Sequence, residues 1–166
     1  MAIFTRLETD LCKRTLANLE FITKAQEEGE KVYETTQLFI SLLGIIVNVK
    51  ESKNKPDRTD LFSSLNDIKI NKGIREEWKI PVDCEEESIG DLIHKMRNSI
   101  AHIDIMFANQ ESSEIDSIIF YLYNDNKETR LDESTRRKII FPIEDLKIFL
   151  YKLCTYVRVH GEEIPD

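Results

Sequence analysis

Between positions 94 and 105 the chain reads HKMRNSIAHIDI, and Arg97, Asn98 and His102 within it carry chemistry that helix packing does not require. Arg97 is a permanent cation with a planar fork suited to phosphate oxygens. His102 brings an imidazole, a side chain that can act as a general acid or base. Asn98 can orient either group or bond a ribose or phosphate oxygen, and Lys95 and Ser99 join it as supporting, phosphate-orienting residues. A positioned histidine and a cation suffice, without a metal, for attack of a ribose 2′-hydroxyl on the neighbouring phosphodiester. The cation then stabilises the charge that builds on phosphorus. DNA lacks that hydroxyl, so such a site acts on RNA. The plain alternative is that the cluster is the wet side of an amphipathic helix.

The elements that position these residues follow from apolar spacing. Ile89, Leu92, Ile93, Met96, Ile100 and Ile103 form one stripe of a helix expected over about 86–102, opened by the carboxylates Glu85, Glu86 and Glu87. At about 100° per residue, Asp91, Asn98 and His102 project from the opposite side, flanked by His94 and Lys95. Arg97 falls at the edge. It stands five positions before His102, so a regular helix does not place the two on one face, and long side chains or a local distortion must unite them.

Two helices are expected upstream, over about 3–28 and 31–49. The second is apolar nearly all round, and Gly44 permits a neighbouring helix to approach closely. A polar loop around Pro56 follows. "LFSSLNDI" reads as a short helix, and "NKGIREEWKIPVD" as irregular chain broken by Gly73 and Pro81, with Trp78 anchoring it to the core. Beyond the motif the periodicity turns to alternation. "IDIMFA" and "IDSIIFYLYN" make a β-hairpin, "KIIF" a short third strand, and Pro142 opens a last helix over about 142–158. The expectation is one mainly α domain spanning 1–166. It is an antiparallel helical bundle with a small β-hairpin or short antiparallel sheet, about 103–141, before the last helix.

Composition narrows the function classes. A net charge of −8 on 166 residues excludes broad nucleic-acid coating but not a small local site. Cys12, Cys84 and Cys154 are few and far apart, which argues against zinc or a disulfide framework and for reduced buried thiols. Asp91, His94 and His102 lack the close spacing of a helical metal site. No metal or cofactor is expected, and no phosphate-binding glycine loop, nucleophile triad or dinucleotide fingerprint is present. The charged N-terminus does not read as a signal peptide, and Leu38 to Val49 is too short to span a bilayer, so no membrane association and a cytoplasmic location are expected. Phe120, Tyr121 and Tyr123 read as hairpin packing or a dimer contact before base stacking. Glu162, Glu163 and Asp166, like Glu85 to Glu87, read as solvated charges.

"RNSIAH" matches the R-x4-6-H motif of the HEPN domain superfamily, including the polar residue directly after the arginine. Two long helices precede the motif, one carrying "TTQLFISLLGIIV". The hairpin and last helix resemble the compact HEPN branch of stand-alone, plasmid-borne proteins. The resemblance runs from about Arg6 to Val157. It implies a bundle that forms a homodimer, with two motifs at a shared cleft. It also implies a metal-independent endoribonuclease of toxin or defence systems, with Arg97 and His102 catalytic and Asn98 supporting them. RNA is the implied substrate and an antitoxin or regulatory protein a further partner. A local cluster of Lys95 and Arg97 with Lys72, Arg75 or Lys79 is expected to recruit the RNA. Asp104 replaces the tyrosine that some toxin pairs modify, so no nucleotidyl modification is expected there. Other members bind nucleotides or proteins without cleaving, and that catalytically inactive module is the alternative. A helical dimerisation domain without a ligand is the third reading.

Overall fold

The computed structural model describes residues 7–52, 61–109, 115–122 and 137–161. The loop around Pro56, the turn at 110–114, Tyr123, the charged connection at 125–136 and the acids Glu162, Glu163 and Asp166 lie outside the described residues, as do Phe4 and Arg6. The helices are α1 (Leu7–Glu27), α2 (Glu34–Ser52), α3 (Leu61–Asp67), α4 (Lys72–Trp78), α5 (Ile89–Ala101) and α6 (Ile143–Gly161). Three strands, β1 (Ile105–Ala108), β2 (Ser117–Leu122) and β3 (Arg137–Pro142), lie between α5 and α6. The protein is therefore mainly helical with a small antiparallel sheet before the last helix, as the apolar spacing predicts.

The chain divides into two compact units, one formed by 1–62 with 150–166 and the other by 63–149. In the first, α1 and α2 pack against each other and bury Cys12, Leu16, Leu38, Leu42, Ile45, Ile46 and Val49. A Cβ added at Gly44 would meet Leu11 Cδ2 at 3.8 Å, an ordinary contact, so the approach of α1 does not depend on that glycine. Later in α6, Cys154 is fully buried, and its hydrogen bond with the Cys12 thiol, followed by burial, pushes it up.

In the second unit the strand order is β1-β2-β3, all antiparallel. The register sets Ile105 opposite Phe120 opposite Ile139, and Phe107 opposite Ile118 opposite Phe141. Ile118, Phe120, Ile139 and Phe141 are completely buried, the alternation expected of a sheet with one face on a core. Phe120 meets Phe141 edge-on at 6.1 Å, and Phe141 leads to Phe149 at 5.6 Å. Phe120 thus serves hairpin packing, while Tyr121 beside it is half-buried.

The segment expected to be irregular contains α4. Asn71 caps it, its side chain accepting from the Ile74 amide at 3.0 Å, and Lys79 ends it in the left-handed region at φ 53°. Trp78 is buried with its ring 5.9 Å from Phe149. Gly73 costs a helix about 1 kcal/mol, whereas burying a large aromatic side chain returns about 2–3 kcal/mol. The anchor outweighs the breaker. The Arg75 guanidinium then donates to the carbonyls of Pro81 and, at 3.0 Å, of Cys84, fixing the chain that leads into α5.

Candidate active site on helix α5

Helix α5 begins at Ile89, not beside the carboxylates upstream. The backbone of Glu87 to Ile89 is committed to Ile68 and Ile70: the Ile70 amide donates to the Glu87 carbonyl at 2.8 Å, and the Ile89 amide to the Ile68 carbonyl at 3.0 Å. Extended chain cannot also be helix. Ser88 is the cap, its Oγ accepting from the Asp91 amide at 3.1 Å and donating to Asp91 Oδ2 at 2.7 Å, so the pair satisfies one of the orphan donors in the helix's first turn. Glu86 is not solvated as expected. It is buried and holds Arg137 Nη2 at 3.0 Å, while Glu85 holds Arg137 Nε at 3.3 Å.

The start of the helix is pinned by close packing. A Cβ at Gly90 would sit 2.9 Å from the backbone nitrogen of Asn66 and closer still to its side chain, so only glycine fits there. The apolar face is Ile89, Leu92, Ile93 and Met96, all fully buried. Ser99 shares that buried face rather than opening the polar one. Its Oγ lies 2.7 Å from the Tyr121 carbonyl on β2 and 3.1 Å from the Lys95 carbonyl. Lys95 itself is half-buried.

The far end of α5 departs from the projection. Ala101 is its last residue and His102 is the cap, exposed, with φ −99° and ψ 3°. Ile103 follows at φ 59°, its amide donating to the Ile100 carbonyl at 3.1 Å, and the Asp104 amide reaches the Ser99 carbonyl at 2.8 Å. These two bonds form a Schellman closure, which normally places glycine where Ile103 stands. A β-branched residue there is strained. Ile103 therefore leaves the helical stripe it was expected to extend and is 86% exposed. Two residues on, β1 carries Met106 and Phe107, 46% and 43% exposed. The motif histidine is thus followed directly by an exposed isoleucine.

Within the helix, Arg97, Asn98 and His94 are half-buried and joined. Arg97 Nη1 donates to Asn98 Oδ1 at 3.4 Å, and Asn98 Nδ2 lies 3.3 Å from His94 Nε2. Asn98 also reaches the end of the motif through its backbone, since its carbonyl accepts the His102 amide at 3.1 Å. Asn98 is the shared neighbour of Arg97 and His94. Placing His94 on the flank passes over its tie to Asn98, although the four-residue spacing is itself a signal that two side chains share a helix face. Asp91 is exposed at the other end of the helix, engaged with Ser88. Among the described residues no group of three or more histidine, cysteine, aspartate or glutamate side chains could hold a metal ion.

Lys72, Arg75 and Lys79 line a groove of about 730 Å³ together with Glu76, Asp83 and Asp145. Arg75 is committed to loop carbonyls and Lys72 lies 4.0 Å from Glu76, so the groove mixes both signs of charge. No helix among the described residues is long and apolar enough to cross a membrane.

A family model described as HEPN pEK499 p136 matches residues 1–163. No curated protein and no solved structure matches the chain significantly.

Proposed function

The chain belongs to the HEPN pEK499 p136 family, and from that premise we propose that it is a metal-independent endoribonuclease acting as a homodimer in a toxin or defence setting. The observation that carries this reading is the double role of Asn98. Its side chain meets the Arg97 guanidinium and its carbonyl accepts the His102 amide, so one residue touches both ends of the motif, which supports the reading.

In this reading one His102 takes the proton from a ribose 2′-hydroxyl. The oxygen attacks the adjacent phosphorus, and Arg97 stabilises the negative charge on the five-coordinate phosphorane. The P–O5′ bond breaks, and the leaving oxygen receives a proton from the second subunit's copy of the same histidine. The products are a 2′,3′-cyclic phosphate and a free 5′-hydroxyl. Exposure of Ile103, directly after His102, supports an interface there, because burying that side chain against a second copy brings the two histidines towards one cleft.

The test is incubation of purified protein with single-stranded RNA in EDTA, with products resolved by mass spectrometry. The reading expects fragments ending in a 2′,3′-cyclic phosphate. Binding without turnover would instead favour a catalytically inactive module that takes a nucleotide or protein on the same face. The net charge of −8, unfavourable for holding a long polyanion, speaks for that second reading.

A further inference from the structure

We propose that His94 is a positioning residue that fixes which end of the Asn98 amide meets Arg97. An asparagine side chain has two nearly isosteric ends, one accepting and one donating. Against a guanidinium only the oxygen end is favourable, since the NH2 end would set donor against donor. Arg97 Nη1 alone, at 3.4 Å, is a long and weak constraint on that choice. The second constraint is His94 Nε2, 3.3 Å from Asn98 Nδ2 on the opposite end of the amide.

For that contact to be a hydrogen bond, Nε2 must accept, which requires a neutral ring with its proton on Nδ1. The Nδ1 atom is buried with no hydrogen-bond partner among the described residues, so the ring is oriented with Nε2 towards Asn98. The required Nδ1 proton is then an unmet donor, a cost that the rest of the packing must offset. The arrangement needs no long-range contact. His94 and Asn98 are one helical turn apart, so the helix itself brings the acceptor to the amide. A ring that turned the amide the other way would press NH2 against the cation and move the guanidinium from the place where charge develops. His94 acts through Asn98. For its catalytic consequence the inference rests on the ribonuclease reading above, while the tautomer it requires does not.

Two measurements test it. Long-range proton–nitrogen spectra of histidine-labelled protein at about pH 8, where an ordinary imidazole is neutral, are expected to show His94 with Nδ1 protonated and Nε2 bare. An Nε2-protonated ring overturns the proposal whether or not the protein cleaves RNA. In the cleavage assay His94→Leu, which keeps bulk and loses the acceptor, is expected to lower kcat by about tenfold to a hundredfold. KM and the melting temperature should change little. His94→Gln restores an acceptor near the same place and is expected to recover most of kcat. Unchanged turnover in His94→Leu, or equal loss in both variants at equal stability, overturns the proposal. Wild-type protein that never cleaves RNA removes the ribonuclease reading alone, and the tautomer then decides the His94–Asn98 arrangement.

Discussion

Ser99 Oγ lies 2.7 Å from the carbonyl oxygen of Tyr121, so a hydroxyl inside the R-x4-H motif bonds the middle strand of the sheet. Ser99 is fully buried, and the Asp104 amide bonds its own carbonyl. The residue therefore fixes the end of α5 against β2 at the level where His102 emerges. Its part is to hold the helix against the sheet.

Removing that hydroxyl leaves the part-buried Tyr121 carbonyl short of a donor. Ser99→Ala is expected to cost about 1–3 kcal/mol, read as a lowered urea midpoint with unchanged slope. An unaltered midpoint would mean that the Ser99–Tyr121 bond contributes nothing.

The two glycines facing other elements are expected to respond oppositely. Gly90→Ala forces a methyl group against the Asn66 backbone and is expected to destabilise by about 1–3 kcal/mol. Gly44→Ala adds only an ordinary contact with Leu11 and gains helix propensity, so stability is expected to rise by up to about 1 kcal/mol. Thermal melts of the two variants separate the cases.

Ile103 pays for a left-handed backbone that glycine adopts freely. Ile103→Gly is expected to stabilise the monomer by about 1 kcal/mol and, by removing an exposed side chain, to weaken self-association in sedimentation equilibrium. Weaker folding together with tighter association would contradict the strain and the interface alike.

Burial pushes the Cys84 thiol up to about 12. The unfolded chain releases this proton near 9.0 while the folded chain keeps it, so ionisation favours unfolding. The stability that comes from the neutral buried thiol is complete below that lower value and is lost as pH rises towards 12. Wild-type protein is expected to lose stability across this alkaline window more steeply than Cys84→Ala. Parallel pH profiles would show that the thiol is not held neutral.

Legibility in the sequence tracked how far each signal reaches along the chain. The stripe of Leu92, Ile93 and Met96 repeats over several turns, so the motif helix and its inward face could be read directly. Strand alternation around Ile118 and Phe120 was equally visible. Helix α4 was hidden because it is seven residues long, with a glycine in its first turn and its stability in the distant contact between Trp78 and Phe149. The first turn expected at Glu85 was lost to backbone pairing with Ile68 and Ile70, partners that no local pattern names. Ile103 was misplaced because isoleucine gives no warning of a left-handed turn. The Arg97, Asn98 and His102 cluster stood out by residue type, whereas the bond from Asn98 to His94 required the helix to be drawn.

In the proposed reaction Arg97 and His102 perform the cleavage. That assignment is tested most directly by comparing wild-type, Arg97→Ala and His102→Ala protein on the same RNA in EDTA, with folding checked by circular dichroism. Wild-type protein is expected to cleave, with a loss of at least about a hundredfold in each variant, in line with removing a general acid–base or a charge-stabilising group. Full activity in both folded variants would contradict it.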